Sequence, residues 1–234
     1  MRSMLALVVV LVLLSPNDSR SAVRLADVGF EVSGLAGDIS PTDLNDIIAV
    51  MGIADPMTVV YGLGAAALLP VTQRLRVSVG SGYYRAKSGE GSIQIFASPS
   101  PTGYPTTTEF QVESVPLRGM VDVTLTDRSP VLTLGAALEM HFMSLTRTID
   151  EVPALGFPGD EQHSSANIPG LSVTAGVEWA VGQRVFMGFG GGYRFAKGDV
   201  PLFQFPTDIR LDLSGPFAMM LIRVHPWLIG GKDQ

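Results

Sequence analysis

The chain has 234 residues, a formal net charge of −6 and no cysteine, which excludes disulfides, thiol catalysis, sulfur-ligated zinc and a lipid-modified N-terminal cysteine. Only 16% of it is charged and 46% is apolar, with 26 glycines and a mean hydropathy of +0.31, whereas soluble domains usually carry about 25% charged residues. Beyond residue 22 no unbroken apolar run approaches the ~18 residues of a helical membrane span. No basic patch appears, so nucleic acid is not an expected partner.

The N-terminus reads as a secretory signal. Arg2 supplies the charge, "MLALVVVLVLL" (4–14) the apolar core, and Ser19 and Ser21 the small residues before a cleavage site. The run is too short to span a bilayer comfortably, so residues 1–21 are expected to be removed. That takes away Arg2, Arg20 and Asp18, leaving 14 basic and 21 acidic residues, a net charge of −7.

From residue 27 onward a period-two pattern recurs, the signature of strands. In "DVGFEVSGLAG" (27–37), Val28, Phe30 and Val32 alternate with Gly29, Glu31 and Ser33. "TVVYGLGAAALLP" (58–70) sets Tyr61, Leu63 and Ala65 against Val60, Gly62 and Gly64. "RLRVSVGSGYYR" (74–85) opposes Leu75, Val77, Val79 and Tyr83 to Arg76, Ser78, Gly80 and Tyr84. "VPLRGMVDVTL" (115–125) places Arg118, Met120, Asp122 and Thr124 on its polar side. "VLTLGAALEMHFM" (131–143) does the same with Thr133, Ala137, Glu139 and His141, and "LSVTAGVEWAV" (171–181) with Ser172, Thr174 and Glu178.

"VFMGFGGGYRF" (185–195) has four glycines but no Gly-Lys-Ser/Thr, no third fingerprint glycine and no capped helix after it, so a phosphate loop is excluded. Read as a strand, it turns Val185, Met187, Phe189, Tyr193 and Phe195 one way and Gly188, Gly190, Gly192 and Arg194 the other. In "IRLDLSGPFAMML" (209–221), Ile209, Leu211, Leu213, Phe217, Met219 and Leu221 are assigned to the apolar face, and Arg210 and Asp212 to the polar one.

Eight strands of about 9 to 13 residues suit tilted passages through a bilayer. "PVTQ", "TDRSP" and "GQ" make short connections, and 37–57, 86–108, 144–168 and 197–208 make long ones. Short turns at one end and long loops at the other is the layout of an outer-membrane barrel. A soluble sandwich or lipocalin-like barrel also alternates, but with the apolar face inward and a surface rich in Lys and Glu. After the signal, this chain has only Lys87, Lys197 and Lys232.

The predicted fold is therefore all-β: an eight-stranded antiparallel up-and-down transmembrane barrel over 22–227, with a tail at 228–234. The polar faces are expected to form a lumen charge network of Glu31, Arg76, Arg118, Asp122, Glu139, His141, Glu178, Arg194, Arg210 and Asp212, paired because unpaired buried charge is costly. The glycines of 188–192 are expected to leave room for Arg194 and neighbouring charges. Tyr61, Tyr83, Phe142, Trp179, Tyr193, Phe195 and Trp227 fit interface girdles, and Phe30, Phe189 and Phe217 are expected to face lipid.

One helix is predicted, over about 41–51 in "SPTDLNDIIAVMG". Ser40 is the expected cap, Gly52 the stop, and Leu44, Ile47, Ile48 and Met51 the apolar face. It is expected to serve as a lid over the barrel mouth, as a surface lying against lipid, or as a loop helix packed on strand ends. Phe96, Phe157, Phe203 and Phe205 are the candidate rim, or ligand mouth. No metal, cofactor or catalytic residue is expected. His141 with Glu139 and Glu178 reads as structural, and His163 beside Ser164 and Ser165 as a solvated loop without G-x-S-x-G.

The chain resembles the small eight-stranded outer-membrane barrels of the OmpW, OmpX and OmpA-transmembrane-domain type. The resemblance covers roughly 25–227 and rests on architecture and on phrases such as "VGQRVFMGFGGGYRF". It implies a Gram-negative outer-membrane monomer in contact with lipid and with the barrel insertion machinery. Members commonly end on an aromatic residue; here Trp227 is followed by "LIGGKDQ", so either Trp227 closes the last strand or insertion uses a variant signal. A structural or surface-interaction role is expected, since eight strands leave no open, porin-like channel. The alternative, implied by OmpW, is binding or sideways passage of small hydrophobic molecules. The third, a barrel enzyme acting on lipids, needs a converging His-Ser or His-Glu pair at the membrane boundary.

Overall fold

The computed structural model describes residues 28–72, 74–95, 103–126, 129–203 and 208–224. The expected signal segment, Phe96, Phe205, Trp227 and the tail lie outside them. Among the described residues are ten strands and one α-helix: β1 (Gly29–Asp38), α1 (Thr42–Val50), β2 (Val59–Pro70), β3 (Leu75–Lys87), β4 (Gly91–Ile95), β5 (Tyr104–Thr124), β6 (Val131–Ile149), β7 (Asp160–Ala180), β8 (Val185–Pro201), β9 (Asp208–Asp212) and β10 (Gly215–Val224).

Eight strands form a closed antiparallel ring, β1-β2-β3-β5-β6-β7-β8-β10, sealed where β10 pairs with both β8 and β1. The remaining two, β4 on β5 and β9 on β8, pair outside that ring. Closure leaves no free edge, which is what lets a sheet cross hydrocarbon. The short turns fall at β2–β3, β5–β6 and β7–β8, closed by bonds such as Val71 N to Leu75 O at 2.9 Å and Val181 N to Val185 O at 2.9 Å.

Two of the predicted long loops, 86–108 and 144–168, are mostly strand. β5 and β7 each run 21 residues and β6 runs 19, about twice the 9–11 residues a tilted strand needs to cross a bilayer. The β5–β8 side therefore stands well above the membrane. His163, predicted in a loop, lies on β7, where its Nδ1 meets Thr146 Oγ1 at 3.1 Å; neighbouring Ser164 accepts a hydrogen bond from Phe203 N instead.

The last predicted strand needs the largest correction. It breaks into β9 and β10, and both halves present the opposite face to that expected. Ile209, Leu211, Leu213, Phe217, Met219 and Leu221 are buried inside, while Arg210, Ala218 and Met220 face out. β9 lies beyond the membrane, where water reverses the rule and turns apolar side chains inward. In β10 the cause is β8. A Cβ on Gly188 would stand 3.1 Å from Leu221, one on Gly190 2.8 Å from Met219, and one on Gly192 3.0 Å from Phe217. The glycines make room for these three apolar side chains, and Gly188 also for the charged Glu178, 3.1 Å from the same Cβ position.

α1 forms where predicted but without its predicted cap. Pro41 occupies the N-cap position with no side-chain bond to the helix. Gly52 at φ +76° ends it as expected, its N–H bonding Ala49 O at 2.9 Å. Leu44 and Ile48 are buried and Ile47 and Met51 pack beside them. Asn45 clips the helix to the incoming strand through Nδ2 to Met57 O at 3.0 Å and Met57 N to Oδ1 at 2.9 Å, and Arg210 N donates to Asp43 at 3.1 Å.

Candidate functional site: the barrel interior

The interior is tiered. The tier nearest the short turns centres on Arg223, whose side chain is 2% exposed. Register sets Arg223 opposite Glu31 and Arg76 opposite Asp122. Arg223 Nε donates to Glu31 at 2.7 Å, Nη2 lies 3.4 Å from Asp122, and Nη1 donates to Glu178 across the lumen. Arg76 reaches the same Glu178 at 2.9 Å, and Arg118 reaches Glu31 at 3.3 Å. Three arginines thus meet three carboxylates, a neutral plug spanning five strands.

Above it sits a smaller tier. Glu139 accepts from Ser172 at 2.7 Å, lies 2.9 Å from His141 Nε2 and pairs with Arg194 Nε at 3.2 Å. His141 Nδ1 is 3.0 Å from Ser114 Oγ. The Arg194 guanidinium lies over the rings of Tyr84 at 4.9 Å and Phe217 at 5.5 Å. Phe142 and Val115 are opposite each other and exposed on the outer wall at this height.

The outer third is apolar. Ile39, Phe110, Val112, Leu145, Ile168, Val200 and Leu211 line a chamber into which α1 lowers Leu44 and Ile48. The sequence reading did not anticipate this tier. Its signal was available: Phe110, Val112 and Leu145 continue the inward face of β5 and β6 past their lipid-facing stretch, where only water remains outside. A cavity of about 10 Å³ survives between Ile39, Val60, Ala86, Ser114, His141 and Arg194, room for about one water.

Eight of the ten predicted network residues are brought together inside: Glu31, Arg76, Arg118, Asp122, Glu178, Glu139, His141 and Arg194. Arg210 and Asp212 are not. Arg210 is exposed, and Asp212 pairs with Lys197 at 2.6 Å on β8. Burial pushes the Asp212 carboxyl up, but Lys197 and Ser214 bind its charged form and hold it below its ordinary range. Arg223 was missed because the predicted strand stopped at 221 and carried the wrong face. Of the expected rim, Phe203 instead packs on the interior core, 6.3 Å from Phe110, and Phe157 bridges to Val152 and is half-buried. Among the described residues no cluster is suited to a metal ion.

The exterior is the reverse of the interior. Phe30, Leu63, Val79, Leu117, Leu134, Val173, Phe189 and Ile222, one from each ring strand, are all exposed, Leu63 at 69% and Phe30 at 62%. A continuous apolar belt around a charge-filled core is stable only in lipid. The chain is a transmembrane β-barrel. Tyr61, Tyr83, Phe142, Trp179, Tyr193 and Phe195 are exposed on that wall as girdle residues should be, whereas Phe217 points inward, contrary to expectation.

No protein-family model and no curated protein matches the sequence. Solved structures of similar fold include Neisserial surface protein A, which aligns over 85% of this chain and 97% of its own at 16% identity and a TM-score of 0.47. OprG from Pseudomonas aeruginosa covers 84% and 94% at 8% identity and a TM-score of 0.44. Ail of Yersinia pestis, solved with the heparin analogue sucrose octasulfate, covers 84% and 97% at 8% identity and a TM-score of 0.38. The wall of this barrel, apolar all round, is made for a lipid setting.

Proposed function

We propose that this barrel is a closed, non-conducting element of the outer membrane with a structural or surface-interaction role. The observation that carries the reading is the plug, in which Arg223, Arg76 and Arg118 are tied to Glu31, Glu178 and Asp122 across the lumen. Moving an ion through it means separating buried opposite charges, which is strongly unfavourable. The tall β5–β8 wall beyond the membrane supplies the surface. Recording in planar bilayers tests this: no steady conductance is expected, and a persistent open level would overturn it.

A second reading is binding of a small hydrophobic molecule in the outer chamber, favoured by its apolar walls and its cover by a single short helix. Native mass spectrometry of the barrel released from non-ionic detergent should find one 1-dodecanol per barrel. Ala86→Phe, which fills the residual cavity, should abolish that binding while the heat-modifiable gel band persists.

A further inference from the structure

The floor of the outer chamber holds three side chains in relay. Ser114 Oγ lies 3.0 Å from His141 Nδ1, and His141 Nε2 lies 2.9 Å from Glu139 Oε2. Ser172 and Arg194 stabilise the Glu139 carboxylate. With Glu139 accepting the Nε2 proton, Nδ1 is left free to accept the proton of the Ser114 hydroxyl. That is the arrangement of nucleophile, base and orienting acid that activates a serine.

A buried histidine held only for stability would also find two partners. Two further observations separate this one. The residual cavity opens onto Ser114, His141 and Arg194 together, at the meeting of polar floor and apolar wall. Arg194 also borders it: its Nε faces Glu139 at 3.2 Å, which fixes the guanidinium beside the cavity, and two aromatic faces flank it. Another histidine-hydroxyl contact, His163 with Thr146, lies on the exposed part of β7.

We infer that Ser114, His141 and Glu139 form a serine-nucleophile site that hydrolyses esters of a single apolar acyl chain. This rests on the chamber being a binding site. The acyl chain occupies the place of Leu44 and Ile48 when α1 lifts, so apolar contact is exchanged rather than lost. Ser114 Oγ attacks the ester carbonyl carbon as its proton passes to His141 Nδ1. The oxyanion forms against the Arg194 guanidinium. The carbon–oxygen bond to the alcohol breaks, and the alcohol leaves with the proton from His141. Water then attacks the acyl carbon, gives a proton to His141, and the acid departs as Ser114 Oγ recovers that proton. The sum is ester plus water giving acid plus alcohol.

The test is covalent labelling of the full-length barrel in non-ionic detergent with a dodecyl fluorophosphonate, read by peptide mass spectrometry, beside hydrolysis of p-nitrophenyl decanoate. An adduct on Ser114 is expected. Ser114→Ala should abolish both signals, and Glu139→Gln should slow hydrolysis a hundredfold or more and alter its pH profile. Asn45→Ala, which releases the helix clip, should speed labelling several-fold. Each variant is checked for the heat-modifiable band. If neither wild type nor Asn45→Ala is labelled while 1-dodecanol still binds, the hydrolytic site is overturned and the chamber reading stands. If dodecanol does not bind either, both are overturned.

Discussion

At the scale of single residues, space and charge are set by pairs the chain brings from far apart. Gly190 leaves 2.8 Å between a hypothetical Cβ and the Met219 methyl, and 3.0 Å to Ala175 O. Gly190→Leu should therefore lower barrel stability by about 1–3 kcal/mol, read by urea unfolding in detergent, with Met219→Ala recovering part of the loss. Arg223 is the other sensitive point. Arg223→Met leaves Glu31, Glu178 and Asp122 facing only Arg76 and Arg118. Breaking a buried pair this way costs roughly 3–5 kcal/mol, and the same urea titration measures it. A loss below about 1 kcal/mol would mean that water reaches the plug.

At the scale of elements, α1 and β9 together make the roof. Hydrogen bonds from Asn45 to Met57 and from Arg210 to Asp43 tie them down, while Asp212 pairs with Lys197 beneath. Because the folded Asp212 carboxyl titrates below its ordinary value, its contribution is complete above the unfolded pKa of about 3.9 and fades as pH falls through the folded one. Pepsin cleavage within Asp208–Asp212 should rise only below about pH 3.9. Asp212→Asn should remove that pH step. A roof cut equally at all acidic pH values would show that the pair holds nothing.

At the scale of the molecule, the barrel is a belt of apolar side chains around a charged plug, with an apolar chamber on top. Leu134 faces out on β6, so Leu134→Arg should weaken insertion by about 2–4 kcal/mol if the site lies at the bilayer midplane. Folding yield into vesicles, followed by the heat-modifiable band, checks it. Equal tolerance of arginine on the outer wall and at the inward Ala137 would reverse the inside-outside assignment.

Much of this was legible in the order of residues alone. Strict alternation over seven strands, few lysines, and polar faces built of small residues with isolated charges determined a membrane barrel and placed Glu31, Arg76, Arg118, Asp122, Glu139, His141, Glu178 and Arg194 inside it. That works because lipid forbids polar side chains outside, so one face of every spanning strand must be apolar. The signal fails where both faces of a strand are apolar. In β10, Phe217, Met219 and Leu221 on one side and Ala218, Met220 and Ile222 on the other satisfy lipid equally well; Arg223, which shares the first set's face and pairs in the lumen, and the glycine gap on the neighbouring β8 decide which set turns in. It fails again above the membrane, where water replaces lipid and Ile209 and Leu211 point inward. The choice of salt-bridge partners, Arg76 reaching across the lumen to Glu178 rather than to Asp122 beside it, was decided by closure of the ring, which brings side chains from distant strands to one height inside a narrow barrel, and the meeting of Ser114 with His141 by the register of β5 on β6.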